Sequence, residues 1–231
     1  MIEVTGFASD ILRNVESAAN KTSTSQLRNK WGLFSILSRV TYDYDSKYIV
    51  EGSFRRDGSS RFGVNNRFGN FWSVAAGWVL SKEDFIQNIS WISNLSLRAS
   101  YGTSGNDRLG FYPSLPLYNS GPIGNYNGIP GLIPLQIENP NLKWEESKTL
   151  DIGIKTSFVN GRISFDVNYF VKNTTDLLLN QDVPYLSGFT NFPSNVGEME
   201  NKGWEFDLRT VNFRTNDFEW NTNFNISFIE N

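Results

Sequence analysis

Apolar and polar residues alternate with a period of two along eight stretches of the chain, at 33–44, 47–56, 68–80, 94–104, 147–158, 162–172, 202–211 and 217–228. Such alternation predicts strands whose two faces meet different surroundings. In the first stretch Phe34, Ile36, Val40 and Tyr42 share one face, with Ser35, Arg39, Thr41 and Asp43 on the other. Further on, Leu95, Leu97, Ala99 and Tyr101 oppose Ser96, Arg98 and Ser100, and Ile163, Phe165, Val167 and Tyr169 oppose Asp166, Asn168 and Lys172. Near the end, Trp204, Phe206 and Leu208 oppose Glu205, Asp207 and Arg209. The apolar rows hold no charge, while the polar rows hold both signs. A charge facing lipid in a barrel wall costs about 2–4 kcal/mol at the midplane, so the first kind of row suits lipid and the second a wet lumen. Each stretch is about as long as the roughly 9–11 residues that a tilted strand needs to cross a bilayer.

The connections also alternate. Those at 57–67, 105–146 and 173–201 are long, whereas 45–46, 159–161 and 212–216 are short and carry turn chemistry such as Asp45-Ser46 and Asn160-Gly161. Outer-membrane barrels combine short periplasmic turns with long extracellular loops. The segment 81–93 is the exception, and Ser81 with Asp84 three residues on predicts a capped helical turn there. Tyr42, Tyr44, Tyr48, Trp78, Phe158, Phe218 and Trp220 gather at the short-turn end, where barrels carry an interfacial girdle of rings. The fold expected is all-β: an antiparallel transmembrane β-barrel segment of about eight strands, one partial domain over 1–231.

Composition narrows the chemistry. Aromatic residues make up 15% of the chain, yet mean hydropathy is −0.37, as apolar rows on an otherwise polar structure require. There is no Cys and no His, which removes disulfides, thiol nucleophiles, the commonest transition-metal ligand and the commonest general base. A net charge of −3 without a basic block is poor footing for nucleic acid. The first residues, MIEVTGFASD, lack the basic and apolar regions of a signal peptide.

Several stretches resemble the TonB-dependent outer-membrane transporters of the SusC/RagA family. They are Phe54-Arg55-Arg56-Asp57-Gly58-Ser59-Ser60-Arg61-Phe62-Gly63, Phe71-Trp72-Ser73-Val74-Ala75-Ala76-Gly77-Trp78 and Asn94-Leu95-Ser96-Leu97-Arg98-Ala99-Ser100-Tyr101-Gly102. Asn139-Pro140-Asn141-Leu142-Lys143-Trp144-Glu145 and Val196-Gly197-Glu198-Met199-Glu200-Asn201-Lys202-Gly203 continue the match. The resemblance runs from about residue 31 to the end. It implies a parent barrel of 22 strands closed by an N-terminal plug, in the outer membrane of a Gram-negative bacterium. Such a protein imports oligosaccharides and sometimes peptides, beneath a SusD-like surface lipoprotein and with energy from TonB. It is no enzyme, and neither a cofactor nor a metal is implied. No plug, TonB-contacting segment or terminal strand is visible in the sequence, so the chain reads as an internal fragment, about a third of a barrel, with 1–32 as the remnant of an extracellular loop.

The long loops are the candidate ligand-binding elements, because barrel loops carry function and exposed rings suit stacking on sugar faces. Loop 105–146 offers Phe111, Tyr112, Tyr118, Tyr126 and Trp144, and loop 173–201 offers Tyr185, Phe189 and Phe192. Equally, these rings could pack within their own loops or against the lipoprotein. The charges Arg55, Arg56, Asp57 and Arg61 read as local strand-end pairing, and Glu138, Glu145 and Glu146 as an unsupported glycosidase set whose separation the sequence does not give. Three other architectures share the pattern in part. A soluble β-sandwich binding module would turn its apolar rows to a second sheet. A complete eight-stranded barrel, acting as anchor or adhesin, would pair its first strand with its last. An outer-membrane hydrolase would have to work without His.

Overall fold

The computed structural model describes residues 5–7, 18–20, 29–119, 124–129 and 131–231. Its strands are β1 (Thr5–Phe7), β2 (Ala18–Asn20), β3 (Leu33–Tyr44), β4 (Tyr48–Ser59), β5 (Phe68–Val79), β6 (Ile92–Asn106) and β7 (Leu117–Asn119). They continue with β8 (Ile133–Gln136), β9 (Glu145–Phe158), β10 (Ile163–Thr175), β11 (Leu178–Asp182), β12 (Asn191–Asn195), β13 (Glu198–Arg214) and β14 (Glu219–Glu230). Eight of them form one antiparallel sheet in the order β14-β13-β10-β9-β6-β5-β4-β3, a simple meander. All eight stretches of sequence alternation fall on these strands. Of the 1–32 loop remnant, β1 and β2 pair with each other, 29–32 lead into β3, and the rest lies outside the described residues.

The alternation sets the faces. Across the middle of the sheet Val50, Ala76, Ala99, Ile152, Tyr169 and Trp204 stand opposite one another on successive strands, forming an apolar band. The other face carries a ladder of paired polar groups: Arg39–Glu51 at 2.7 Å, Arg98 bridging both oxygens of Asp166 at 3.0 and 3.2 Å, and Asn168 donating to Asp151 at 2.6 Å. Two of the alternative architectures fail here. β3 bonds only to β4 and β14 only to β13 in the eight-stranded sheet, so the first strand does not close on the last. No second sheet covers the apolar band among the described residues; Val50, Val74, Ile152, Ile154 and Trp204 are all exposed.

The tight turns obey backbone sterics with one exception. Asp45 and Ser46 both take left-handed φ, and Lys47 N–H bonds back to Tyr44 O at 3.0 Å. At the next tight turn Val159 has φ 52°, beside Asn160 at 55° and Gly161 at 80°. A β-branched residue in this region is strained. Val159→Asn is therefore expected to raise stability by about 0.5–1 kcal/mol, read as a higher urea midpoint of the folded protein; an unchanged or lower midpoint would mean that the valine contacts outweigh the strain.

The predicted helical turn in 81–93 exists, as a 3-10 turn at Leu80–Lys82 and a short helix α1 at Asp84–Gln87, but its cap is not Ser81. The residue preceding α1 is Glu83, which makes no side-chain cap bond, and Ser81 Oγ instead donates to Asn94 Oδ1 at 3.2 Å. The reason is a stronger use of Glu83. Its carboxylate accepts from the Tyr48 hydroxyl at 2.6 Å and the Trp78 indole N–H at 3.0 Å, with the Lys47 ammonium at 3.5 Å. The turn is thus clamped to the ring girdle. The Tyr48 hydroxyl, then the Trp78 indole and the Lys47 charge, hold the Glu83 carboxyl below its ordinary value of 4.5. A depressed folded value means that the clamp is intact above the ordinary value and is lost as pH falls through the folded one. Melting at neutral and at acid pH should show a loss of stability on acidification that is smaller in Glu83→Gln; equal losses would remove Glu83 from the account.

Candidate functional site

All three long connections leave the sheet at the same end, opposite the tight turns, and the structure binds them into one body. The buried apolar residues Phe62, Phe71, Leu142 and Trp144 form its centre, with Leu109 and Leu178 packed on the outside. Phe62 comes from the β4–β5 connection, Leu142 and Trp144 from the β6–β9 connection, and Phe71 from the polar face of β5. The Trp144 ring lies 4.7 Å from Phe62 and meets Phe71 edge-on at 5.5 Å, while its indole N–H donates to Arg67 O at 3.1 Å.

Backbone-directed side chains then stitch the loops. Asn195 accepts from Lys143 N–H at 2.8 Å and donates to Lys143 O at 2.8 Å and Asp176 O at 2.9 Å. Asn139 donates to Pro193 O at 2.9 Å, and Asn66 to Asn141 O at 2.9 Å. The Lys143 ammonium reaches Asp176 at 2.7 Å. Gly63 N–H donates to Leu142 O at 2.9 Å, and a Cβ at position 63 would land on Pro140 O, so only glycine allows this approach. Beneath the knot, on the polar face, lies a cavity of about 310 Å³ lined by Arg55, Asp57, Ser73, Thr103 and Asp107 among others. Arg55 Nε bonds both oxygens of buried Asp57, at 2.7 and 2.6 Å. Arg61 pairs with Asp107 at 3.2 Å and lies 4.7 Å over the Trp31 ring. Arg56 sits 5.0 Å over Phe68.

The ring candidates divide. Tyr126, 83% exposed, caps a small bridge with Ile129, and Tyr185, 91% exposed, stands on a 3-10 turn (Tyr185–Ser187) between β11 and β12. Phe111 and Tyr118 are exposed, and Tyr112, Phe189 and Phe192 are half-buried. Tyr112 also serves the scaffold, accepting from Lys30 N–H at 2.6 Å. Phe111 and Tyr112 lie 6.4 Å apart; no other two of the candidate rings are in ring contact among the described residues. Trp144 is a correction: at 9% exposure it is part of the buried knot, because its indole is filled in by Phe62 and Phe71 and its N–H is spent on Arg67. Two of the three carboxylates of the glycosidase set are engaged locally, and Glu138 is exposed on its loop. Glu145 accepts from Asn106 at 3.0 Å and from Leu178 N–H at 3.2 Å, and Glu146 faces Lys148 at 3.7 Å.

The sequence profile of the family described as "TonB dependent receptor-like, beta-barrel" matches residues 5–230. "TonB-dependent receptor P39" of Formosa agariphila is 42% identical over 92% of this chain and 20% of its own length. "TonB-dependent receptor SusC" of Bacteroides thetaiotaomicron is 33% identical over 86% of this chain and 20% of its own. A solved structure of the RagAB peptide transporter superposes with a TM-score of 0.80 at 32% identity, covering 96% of this chain and 25% of that one. The chain thus spans about a fifth of the curated relatives it matches. It belongs to the TonB-dependent receptor family, on its SusC/RagA side, and supplies a stretch of that family's β-barrel.

Proposed function

We propose that this chain is one wall sector of an outer-membrane importer for oligosaccharides or peptides, working with a SusD-like surface lipoprotein and driven through TonB. The observation that carries this is the polarity of the sheet from end to end and from face to face. A charge-free band suits lipid, the opposing ladder of ion pairs suits a water-filled conduit, and three loops bound together at one end form a platform that bears exposed rings. Aromatic side chains have few rotatable bonds and lose little conformational entropy on stacking against a ligand. RagAB is a peptide importer, and the exposed rings with their neighbouring amides accommodate either ligand class. The platform is also where a lipoprotein lid would rest.

The test is uptake. Cells with and without the gene that encodes this chain are given labelled neutral oligosaccharides and, separately, a pool of labelled tryptic peptides. Loss of accumulation of one class in the deletion strain, restored by the intact gene but poorly by a copy carrying Tyr126→Ala and Tyr185→Ala, supports the reading. Unaltered uptake of both classes overturns it.

A further inference from the structure

Phe71 is not alone as an apolar side chain on the polar face at the loop end. Leu33 and Leu37 of β3 stand there too, in the row of Ser35 and Arg39, and both are exposed. Phe71 has a buried partner in Trp144, whereas the two leucines are not part of the buried knot. All four side chains line the cavity of about 310 Å³ beneath the knot, together with Arg55 and Asp57. Leu37 and Arg55 are directly opposed in the β3–β4 ladder, which sets their Cβ atoms about 5 Å apart. The cavity therefore offers an aliphatic surface and a guanidinium side by side. We propose that it is a subsite for the C-terminal residue of a peptide, with an aliphatic side chain against Leu33 and Leu37 and the terminal carboxylate on Arg55. The inference rests on the importer reading above and narrows its ligand class to peptides.

Charge and exposure favour this occupant over an oligosaccharide. The charged groups at the cavity are Arg55, Asp57 and Asp107, with Arg61 paired to Asp107 and the balanced Arg39–Glu51 pair next along the strands. Guanidinium and carboxylate charges cancel, so a polyanionic chain gains no net attraction. They are unequally presented, however. The Arg55 side chain is 48% exposed and that of Asp57 9%. Arg55 spends Nε on Asp57 and reaches Ser35 Oγ from Nη2 at 3.4 Å, and its Nη1 makes no hydrogen bond among the described residues. A guanidinium edge left open in this way holds a carboxylate through charge-assisted hydrogen bonds. A sugar would instead need an open ring face on which to stack, and the rings that line the cavity, Phe71 and Trp144, are buried against each other.

The experiment is fluorescence anisotropy with the full-length protein in detergent. The probe is an amino-terminally labelled hexapeptide of glycine and serine that ends in leucine, made as the free acid and as the carboxamide. The free acid should bind about tenfold more tightly than the carboxamide, as loss of a hydrogen bond to a charged group implies. Leu37→Ser should weaken binding of the free acid about fivefold through lost apolar contact and keep the preference over the carboxamide. Arg55 stays in place, because its removal would leave buried Asp57 without a partner. Leu37 is exposed, so the variant should fold, and heat-dependent gel mobility checks that it does. Equal affinity for the two peptides, or no binding of either, overturns the site. So does unaltered affinity in Leu37→Ser, the result expected if another part of the full-length protein covers the leucines. Displacement of the free acid by maltoheptaose would make a neutral sugar the occupant and overturns it as well. Uptake separates these failures from failure of the importer reading, which stands as long as deletion of the gene abolishes accumulation of one ligand class.

Discussion

Trp144→Ala is expected to cost about 3–5 kcal/mol in the stability of the loop platform, the range for truncating a buried large aromatic. The indole joins the β4–β5 and β6–β9 connections to Phe71 of β5. Its removal leaves Phe62 and Phe71 without their common partner and Arg67 O with one of its two donors, the Ser59 N–H at 3.0 Å. The strands below hold one another through long ladders, broken only by a register shift between Ile92 and Asn94 at the far end of β6 among these pairings, so the loss should be local. Hydrogen exchange and limited proteolysis should accelerate in 60–67 and 139–144 while the strands stay protected. Trp144→Phe retains a ring and gives up chiefly the indole bond, for about 1 kcal/mol. Unchanged protection in Trp144→Ala would mean that the hydrogen bonds of Asn195 and Asn139, not the apolar knot, carry the platform.

The second large effect concerns the face. Ile152→Arg places a charge in the middle of the apolar band and should cost about 2–4 kcal/mol in lipid vesicles. Ser100→Arg, one strand away on the opposite face and paired in register with Asp151, should stay within about 0.5 kcal/mol, as surface substitutions do. Urea unfolding of the two variants in vesicles reads the difference. Similar costs at both positions would deny that the faces meet different media.

The eight-stranded sheet was legible because one physical rule governs it. Its residues alternate between a charge-free face and a polar one, so the alternation marks both strands and faces. Legibility failed where that rule stops. β4 runs to Ser59, β6 to Asn106, β10 to Thr175, and β13 begins at Glu198, each beyond the alternating stretch and at the loop end. Backbone pairing needs no apolar row, so these extensions left little trace. The β7–β8 and β11–β12 hairpins within the loops were missed for the same reason, being short and without a buried face. The platform did leave a signal, in Phe71. It stands on the polar row of β5, out of phase with Trp72 and Val74, and an apolar ring in the wrong row needs a private partner. Trp144 gave no such sign, since a tryptophan in a long loop reads equally as a ligand platform or as a plug for a local core. Tyr126 and Tyr185 were legible as rings in the long loops; the bridge to Ile129 and the 3-10 turn that carry them had no sequence signal.

The central claim is that this sheet crosses a membrane with its long loops outside. This stretch contains no Cys, so once any cysteine elsewhere in the full-length protein is replaced by Ser, a single introduced thiol reports one position. Leu186→Cys lies at the tip of the β11–β12 hairpin and Asp217→Cys in the tight turn before β14. Intact cells producing the full-length protein are exposed to a membrane-impermeant maleimide, then the experiment is repeated after permeabilisation. The account predicts labelling at 186 in intact cells and at 217 only after permeabilisation. Labelling at both positions in intact cells, or at 217 alone, would contradict it.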